Sequence, residues 1–181
     1  SGHNGDYREE DQSDAEDLYG RSKFLGEVTG DNALTLRTSI IGRELIHFKS
    51  LLEWFLRQES ESVRGYTREL YSGVTTNYMS RLVSRLISEH PGLSGLYQVT
   101  APTISKHDLL CMLREAYGLP VSIIPDDEIV SDRSMIGDKF LAATGYSQPS
   151  WTELVEELAA DPTPYQEWTE WASIPSKTKQ Y

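Results

Sequence analysis

The chain has 181 residues, 38% of them hydrophobic and 25% charged, which suits one ordinary packed domain and excludes a disordered chain. A formal charge of −11 sets the long-range field against phosphate and excludes nucleic acid or an anionic membrane as a partner of the whole surface, leaving room only for a local basic pocket. The single cysteine, Cys111, permits neither an internal disulfide nor a cysteine-rich zinc site and favours a reducing, cytoplasmic setting; no run of about 18 apolar residues and no signal-peptide core mark a membrane or secretory segment.

Residues 1–16, SGHNGDYREEDQSDAE, are polar, acidic and glycine-containing and read as loop. Asp14 or Asp17 caps a helix that runs to about Thr29, because a short acidic side chain accepts the free amide protons of a first turn. ALTLRTSII, 33–41, is a nearly continuous apolar and β-branched run, the pattern of a strand buried on both faces. ELIHFKSLLEWFLRQ, 44–58, places Leu45, Phe48, Leu51, Leu52 and Phe55 at helical spacing. SVRGYT, 62–67, reads as a short strand, and 75–90 as a helix with Met79, Leu82, Val83, Leu86 and Ile87 on one side.

GLYQVT, 95–100, alternates as a strand. SKHDLLCMLREAYG, 105–118, has a serine cap, an apolar stripe and a glycine stop. PVSIIP, 120–125, is a further strand, and short helices follow around 135–144 and 150–160 before a proline-broken aromatic tail. Helices and strands alternate throughout, so the class is α/β.

One stretch carries chemistry. DLYGRSKFLGEV, 17–28, puts Tyr19 and Lys23 four apart on one helical face, with Gly20 and Gly26 at positions where glycine is costly. An ammonium beside a phenol favours the phenolate, so such a pair can deliver a proton to a developing alkoxide near neutral pH, and the lysine can also bond vicinal hydroxyls. The structural alternative is that Tyr19 packs and Lys23 pairs with Glu27 at the next i,i+4 position. His47 falls in an apolar helical pattern and reads as a structural histidine; His3, His90 and His107 lack metal-ligand spacing. Trp54, Trp151, Trp168 and Trp171 read as packing residues, with a tail aromatic available to a second subunit.

YGRSKFLGE followed by LTLRTSIIG resembles the extended short-chain dehydrogenase/reductase family, in which the Tyr-x-x-x-Lys helix precedes a parallel strand carrying an arginine. GDYREED at 5–11, YSGVTTNYMSRLVSRLI at 71–87, GLYQVT, and KFLAATGYSQPSWTELVEEL at 139–158 extend the resemblance to the sugar-nucleotide branch, and within it to the dTDP-4-dehydrorhamnose reductases. The resemblance implies the C-terminal part of a Rossmann-like NAD(P)-binding fold with a small α/β substrate domain. Residues 1–60 would be a remnant of the nucleotide-binding domain, 61–160 the mainly substrate-binding region, and 161–181 a tail. It implies NADP(H) or NAD(H) as cofactor and a nucleotide-linked 4-keto-6-deoxy sugar as substrate. Tyr19 would be the proton donor and Lys23 its activator and ribose ligand, while Thr38, Ser39, Ile40 and Ile41 would pass the nicotinamide. Arg37 is left two uses, a phosphate of the substrate or a buried ion pair. Thr75 and Thr76 would meet substrate, or with Asn77 simply cap a helix. Gly20 and Gly26 would let the helix lie close to the sheet or cofactor.

The sequence departs from the family in two places. Val74-Thr75-Thr76 replaces a Pro-Thr, and Glu44-Leu45-Ile46-His47 stands where a glycine-asparagine-phenylalanine pattern is usual. No glycine-rich turn after a strand is present to hold a pyrophosphate. The expectation is a chain inactive alone, whose strand at 33–41 exposes an edge to be covered by the N-terminal half or by a second copy. A non-catalytic binding or regulatory module of the same fold, and a nucleotide-sugar epimerase or dehydratase sharing the Tyr–Lys pair, are the alternatives.

Overall fold

The computed structural model describes residues 1–28, 30–45 and 48–165. His47, Trp168 and Trp171, and most of the expected tail, lie outside the described residues. Among the described residues three small sheets and six helices make a mixed α/β fold in which parallel pairing dominates.

Helix α1 (Leu18–Leu25) starts where the Asp17 carboxylate accepts the Gly20 amide at 2.6 Å and stops at Gly26, earlier than the expected Thr29. None of its residues is buried. The expected strand 33–41 is two strands, β1 (Leu34–Arg37) and β2 (Ile40–Ile41). The break falls at Thr38–Ser39, where the Ser39 carbonyl turns to accept the Val74 amide at 2.9 Å. Burial on both faces is not realised, because all four residues of β1 are half-buried and Ile40 is 52% exposed.

Helix α2 (Leu51–Leu56) covers only the last part of the expected 44–58. Glu44 accounts for the loss: its carboxylate accepts the Lys49 and Ser50 amides, Phe48 takes φ 50°, and Ser50 then caps α2. Strand β3 (Ser62–Tyr71) outruns the expected 62–67 and is followed by the short β4 (Val74–Thr75). Helix α3 (Thr76–Glu89), strand β5 (Gly95–Gln98), the short β6 (Ile104–Ser105) and helix α4 (Lys106–Tyr117) follow. Strand β7 (Ser122–Asp132), helix α5 (Asp138–Thr144) and helix α6 (Trp151–Ala159) complete the described chain. Ser150 and Glu153 form a reciprocal capping box on α6.

β1 pairs with β5 in parallel from Leu34↔Gly95 to Arg37↔Gln98, and β2 pairs with β4 in parallel. The third sheet has the order β6-β3-β7, with β7 parallel to β3 and a register shift between Tyr66 and Arg68. Pairing therefore joins the first 60 residues to segments near 75 and 95. The core lies between these sheets and α2, α3, α4 and α6, built from Leu52, Phe55, Val74, Leu82, Leu110, Leu113, Phe140, Leu154 and Leu158, each under 5% exposed. Burying such side chains contributes about 1.5–3 kcal/mol each. No helix among the described residues is long and apolar enough to cross a membrane.

Candidate functional site

Tyr19 and Lys23 occupy one face of α1, and the Lys23 ammonium lies 5.3 Å from the centroid of the Tyr19 ring. Glu27, the competing partner for Lys23, is taken: Arg37 donates to it bidentately, Nε to Oε1 at 2.6 Å and Nη2 to Oε2 at 2.9 Å. The same guanidinium donates to the Glu9 carbonyl at 3.3 Å, and Glu27 holds its pKa above the ordinary arginine range. Of the two uses left to Arg37, this geometry makes the ion pair. Lys23 thereby has no carboxylate partner among the described residues. Tyr19 is 74% exposed.

The glycines of this helix serve other ends than a close approach to the sheet. A Cβ on Gly20 would meet the Ala15 side chain at 2.4 Å, so Gly20 seats the loop before α1, and Gly26 is the C-cap.

Lys23 lines a cavity of about 290 Å³ together with Tyr7, Arg8, Arg37, Gln98 and Arg133. Gln98 is 1% exposed, and its Oε1 has no hydrogen-bond partner among the described residues. A buried acceptor left unpaired costs about 1–3 kcal/mol, and a ligand donor removes that cost. Arg8 and Arg133 are exposed and make no ion pair with a described residue.

Arg133 also walls a second cavity of about 220 Å³, lined by Ile40, Ile41, Leu51, Tyr71, Lys106 and Leu109. The Tyr71 hydroxyl is buried with no hydrogen-bond partner among the described residues, and burial drives its pKa far above the ordinary phenol value. Leu51 and Lys106 continue into a third cavity of about 540 Å³, with Lys49, Trp54 and Tyr66. Lys106 pairs with Glu69 at 3.0 Å, and its ammonium lies 5.3 Å from the Tyr66 centroid. Arg133 thus lines the first two of these spaces, and Leu51 and Lys106 line the last two.

The other expected residues divide. Ile40 and Ile41 line the middle cavity, whereas the Thr38 hydroxyl donates to the Ser39 carbonyl at 3.1 Å and the Ser39 carbonyl binds Val74. Thr75 is fully buried and caps α3 by accepting the Tyr78 amide, which realises the capping use. Thr76 faces a separate surface recess with Asn77, Asp161 and Tyr165, away from Lys23. Arg133, Gln98 and Lys106 were not legible as site residues: an arginine in a loop, a strand glutamine and a helix-start lysine carry no motif. No group of three His, Cys, Asp or Glu among the described residues can hold a metal ion.

No family model matches the sequence, and no curated protein does. Among solved structures the chain is similar to a dTDP-4-dehydrorhamnose reductase from Clostridium acetobutylicum, with TM-score 0.68, 17% identity, 87% of this chain and 60% of that chain covered. A second from Bacillus anthracis, in complex with NADP, has TM-score 0.62 and 20% identity over 77% of this chain and 51% of that one. A hypothetical reductase of the same name from Sulfolobus tokodaii has TM-score 0.62 and 25% identity over 76% and 52%. The fold is that of the sugar-nucleotide reductases. It is the Rossmann-like fold expected, and it is shared with a dTDP-glucose 4,6-dehydratase and a UDP-N-acetylglucosamine 4-epimerase. The chain spans about half to three fifths of the length of the reductases it matches.

Proposed function

We propose that this chain is the C-terminal portion of an NAD(P)-dependent reductase of nucleotide-linked 4-keto-6-deoxy sugars, with Tyr19 as proton donor and Lys23 as its activator. The observation that carries the reading is the Lys23 ammonium beside the Tyr19 ring, freed from Glu27 by Arg37, with Lys23 on the wall of a cavity that also holds Arg37, Gln98 and Arg133.

In this reading residues 1–60 belong to the nucleotide-binding side and 61–160 mainly to the substrate side, with β4 and β5 returning to pair with β2 and β1. Lys23 would hold the nicotinamide ribose, and the exposed Ile40 offers an apolar wall to the ring. When bound, the cofactor supplies hydride to the carbonyl carbon. Tyr19 delivers a proton to the oxygen that gains charge, and Lys23 stabilises the phenolate left behind. Arg133, which lines two cavities and makes no ion pair with a described residue, would bind the substrate diphosphate, as a planar fork matches phosphate oxygens. Trp54 and Tyr66 would stack the base, and the orphan Gln98 acceptor would take a hydroxyl of the sugar.

The described residues contain nothing suited to the pyrophosphate of the cofactor, so the reaction needs the dinucleotide-binding half. The test is NADPH oxidation by a polypeptide that unites that half with this chain, offered dTDP-linked 4-keto sugar. Tyr19→Phe is expected to lower turnover at least about a hundredfold, within the usual reach of general acid catalysis. Arg133→Met is expected to act mainly on KM. Full turnover in Tyr19→Phe overturns the assignment. The exposure of α1 favours one second reading, a binding module for this chain alone; stabilisation by dTDP of a protein with no reductase activity in the united form would establish it. Interconversion or dehydration of the sugar without net NADPH use would establish the epimerase or dehydratase.

A further inference from the structure

Lys23 stands between two partners of opposite use. On one side lies the Tyr19 ring, its centroid 5.3 Å from the ammonium. On the other lies Glu27, one turn further on and just past the C-cap Gly26, in the wall of the same cavity as Lys23. A lysine and a glutamate four apart pair readily, so Glu27 is the natural trap for this ammonium. Two other carboxylates of this region are engaged with backbone: Asp11 accepts the Arg8 amide at 2.7 Å, and Glu9 accepts the Gln98 amide at 2.8 Å.

The trap is closed from the neighbouring strand. Thr35 and Arg37 stand two apart on one face of β1. The Thr35 hydroxyl donates to the Val28 carbonyl at 2.8 Å and accepts the Val28 amide at 3.2 Å, while Arg37 donates to both Glu27 oxygens, at 2.6 and 2.9 Å. Alternate side chains of one strand face thus hold consecutive residues behind α1, which fixes how Glu27 is presented. The Arg37 and Glu27 side chains are only 20% and 18% exposed, so neither charge is left to water. Glu27 first, then Glu9 and Asp11, keep the Arg37 pKa above the ordinary arginine range.

We propose that Arg37 is a positioning residue of the reduction: by holding Glu27 it leaves the Lys23 ammonium to the Tyr19 phenol, and without it Lys23 turns to Glu27 and the proton donor loses its activator. This rests on the functional reading in naming Tyr19 and Lys23 as the reacting pair; the direction in which Lys23 points does not depend on that reading. An exposed lysine–glutamate pair shifts a population only about twofold, whereas a half-buried carboxylate that has lost its partner draws a cation harder. Arg37→Met is therefore expected to lower kcat about three- to tenfold. KM should stay within about twofold, because Arg37 acts through Glu27 and not on substrate.

The test uses the polypeptide that unites the dinucleotide-binding half with this chain, its lysines labelled with carbon-13 at Cε and the Lys23 signal assigned by Lys23→Arg. In the parent protein the ring current of Tyr19 should place the Lys23 Cε protons upfield of random-coil lysine. Arg37→Met should move them back, and adding Glu27→Gln should return them upfield. Turnover should follow the same order: the double variant regains kcat to within about twofold of the parent, although its Tm stays as low as that of Arg37→Met. A merely structural Arg37 would leave the double variant as slow as the single one. Should Arg37→Met not fold, Arg37→Gln, which keeps a donor for Glu27 without the charge, is expected to show the same pattern more weakly. A rise of more than about tenfold in KM with kcat retained overturns the proposal, since Arg37 would then bind substrate. A Lys23 signal unmoved by loss of Arg37, or a kcat that Glu27→Gln does not restore, overturns it too. Full turnover in Tyr19→Phe would defeat the functional reading alone, and the Lys23 signal would still decide where the ammonium goes.

Discussion

Glu53 offers a sharp measurement of how the fold is held beside the cavities. Its carboxylate is 1% exposed, accepts Arg43 Nε at 2.6 Å and the Glu44 amide at 3.1 Å, and lies 3.8 Å from Arg57 Nε. Arg43 follows Gly42 at the end of β2, so this pair pins the turn leading away from Ile40 and Ile41 onto α2. Removing one partner of a buried pair costs about 3–5 kcal/mol, because the other charge stays buried without compensation. Here Arg43 retains 21% exposure and the Tyr165 ring 4.7 Å from its guanidinium, which places Glu53→Ala at the lower end, about 3 kcal/mol. For a chain of this size that is a fall in Tm of ~6–12 °C. Urea unfolding followed by tryptophan fluorescence gives the free energy directly. The control is Arg43→Met with Glu53→Met, since replacing both charges by packed apolar groups is often close to neutral. If Glu53→Ala loses less than about 1 kcal/mol, or the double variant falls as far as the single, the ion pair is not what pins the turn.

Two further outcomes are expected. Gly42→Ala places a Cβ 2.1 Å from Thr76 Oγ1 and 2.8 Å from Thr76 Cβ, so it should destabilise by about 1–3 kcal/mol in urea unfolding, and Thr76→Ala should restore only part, because the Cβ contact remains. Tyr117, which donates to the Leu158 carbonyl at 3.0 Å, has its pKa pushed up to about 12 by burial. Its folded value lies above the unfolded value near 10, so its contribution is complete below pH 10 and is lost as pH rises toward 12. Ultraviolet titration should show Tyr117 among the tyrosines that ionise late, with Tyr71, and Tyr117→Phe should lower the amplitude of the late phase by one phenol; an unchanged late amplitude in that variant would refute the burial argument.

Helices with both a cap and a stripe were legible. Thr75, Ser105 and Ser150 each accept an amide three residues on, and α3, α4 and α6 begin there. Where a side chain bonds backbone locally, periodicity misleads: Leu45 and Phe48 continue the stripe of α2, but Glu44 accepts the amides that a helix would need. The lengths of β3 and β7 were hidden because their polar residues answer one another across the pair, as Arg64 does Asp126 and Glu128. The Tyr19–Lys23 spacing was readable, whereas Arg133 becomes visible only when the fold brings it to the wall between two cavities.

That wall has a consequence for the whole molecule. A ligand lying against Arg133 in the middle cavity would touch Ile40, Tyr71 and Lys106 at once, residues remote from one another along the chain. It would behave as a removable staple, contributing about 2.7 kcal/mol at a hundredfold excess over its Kd. Proteases should then cut the liganded protein all at once or not at all, instead of nibbling it segment by segment.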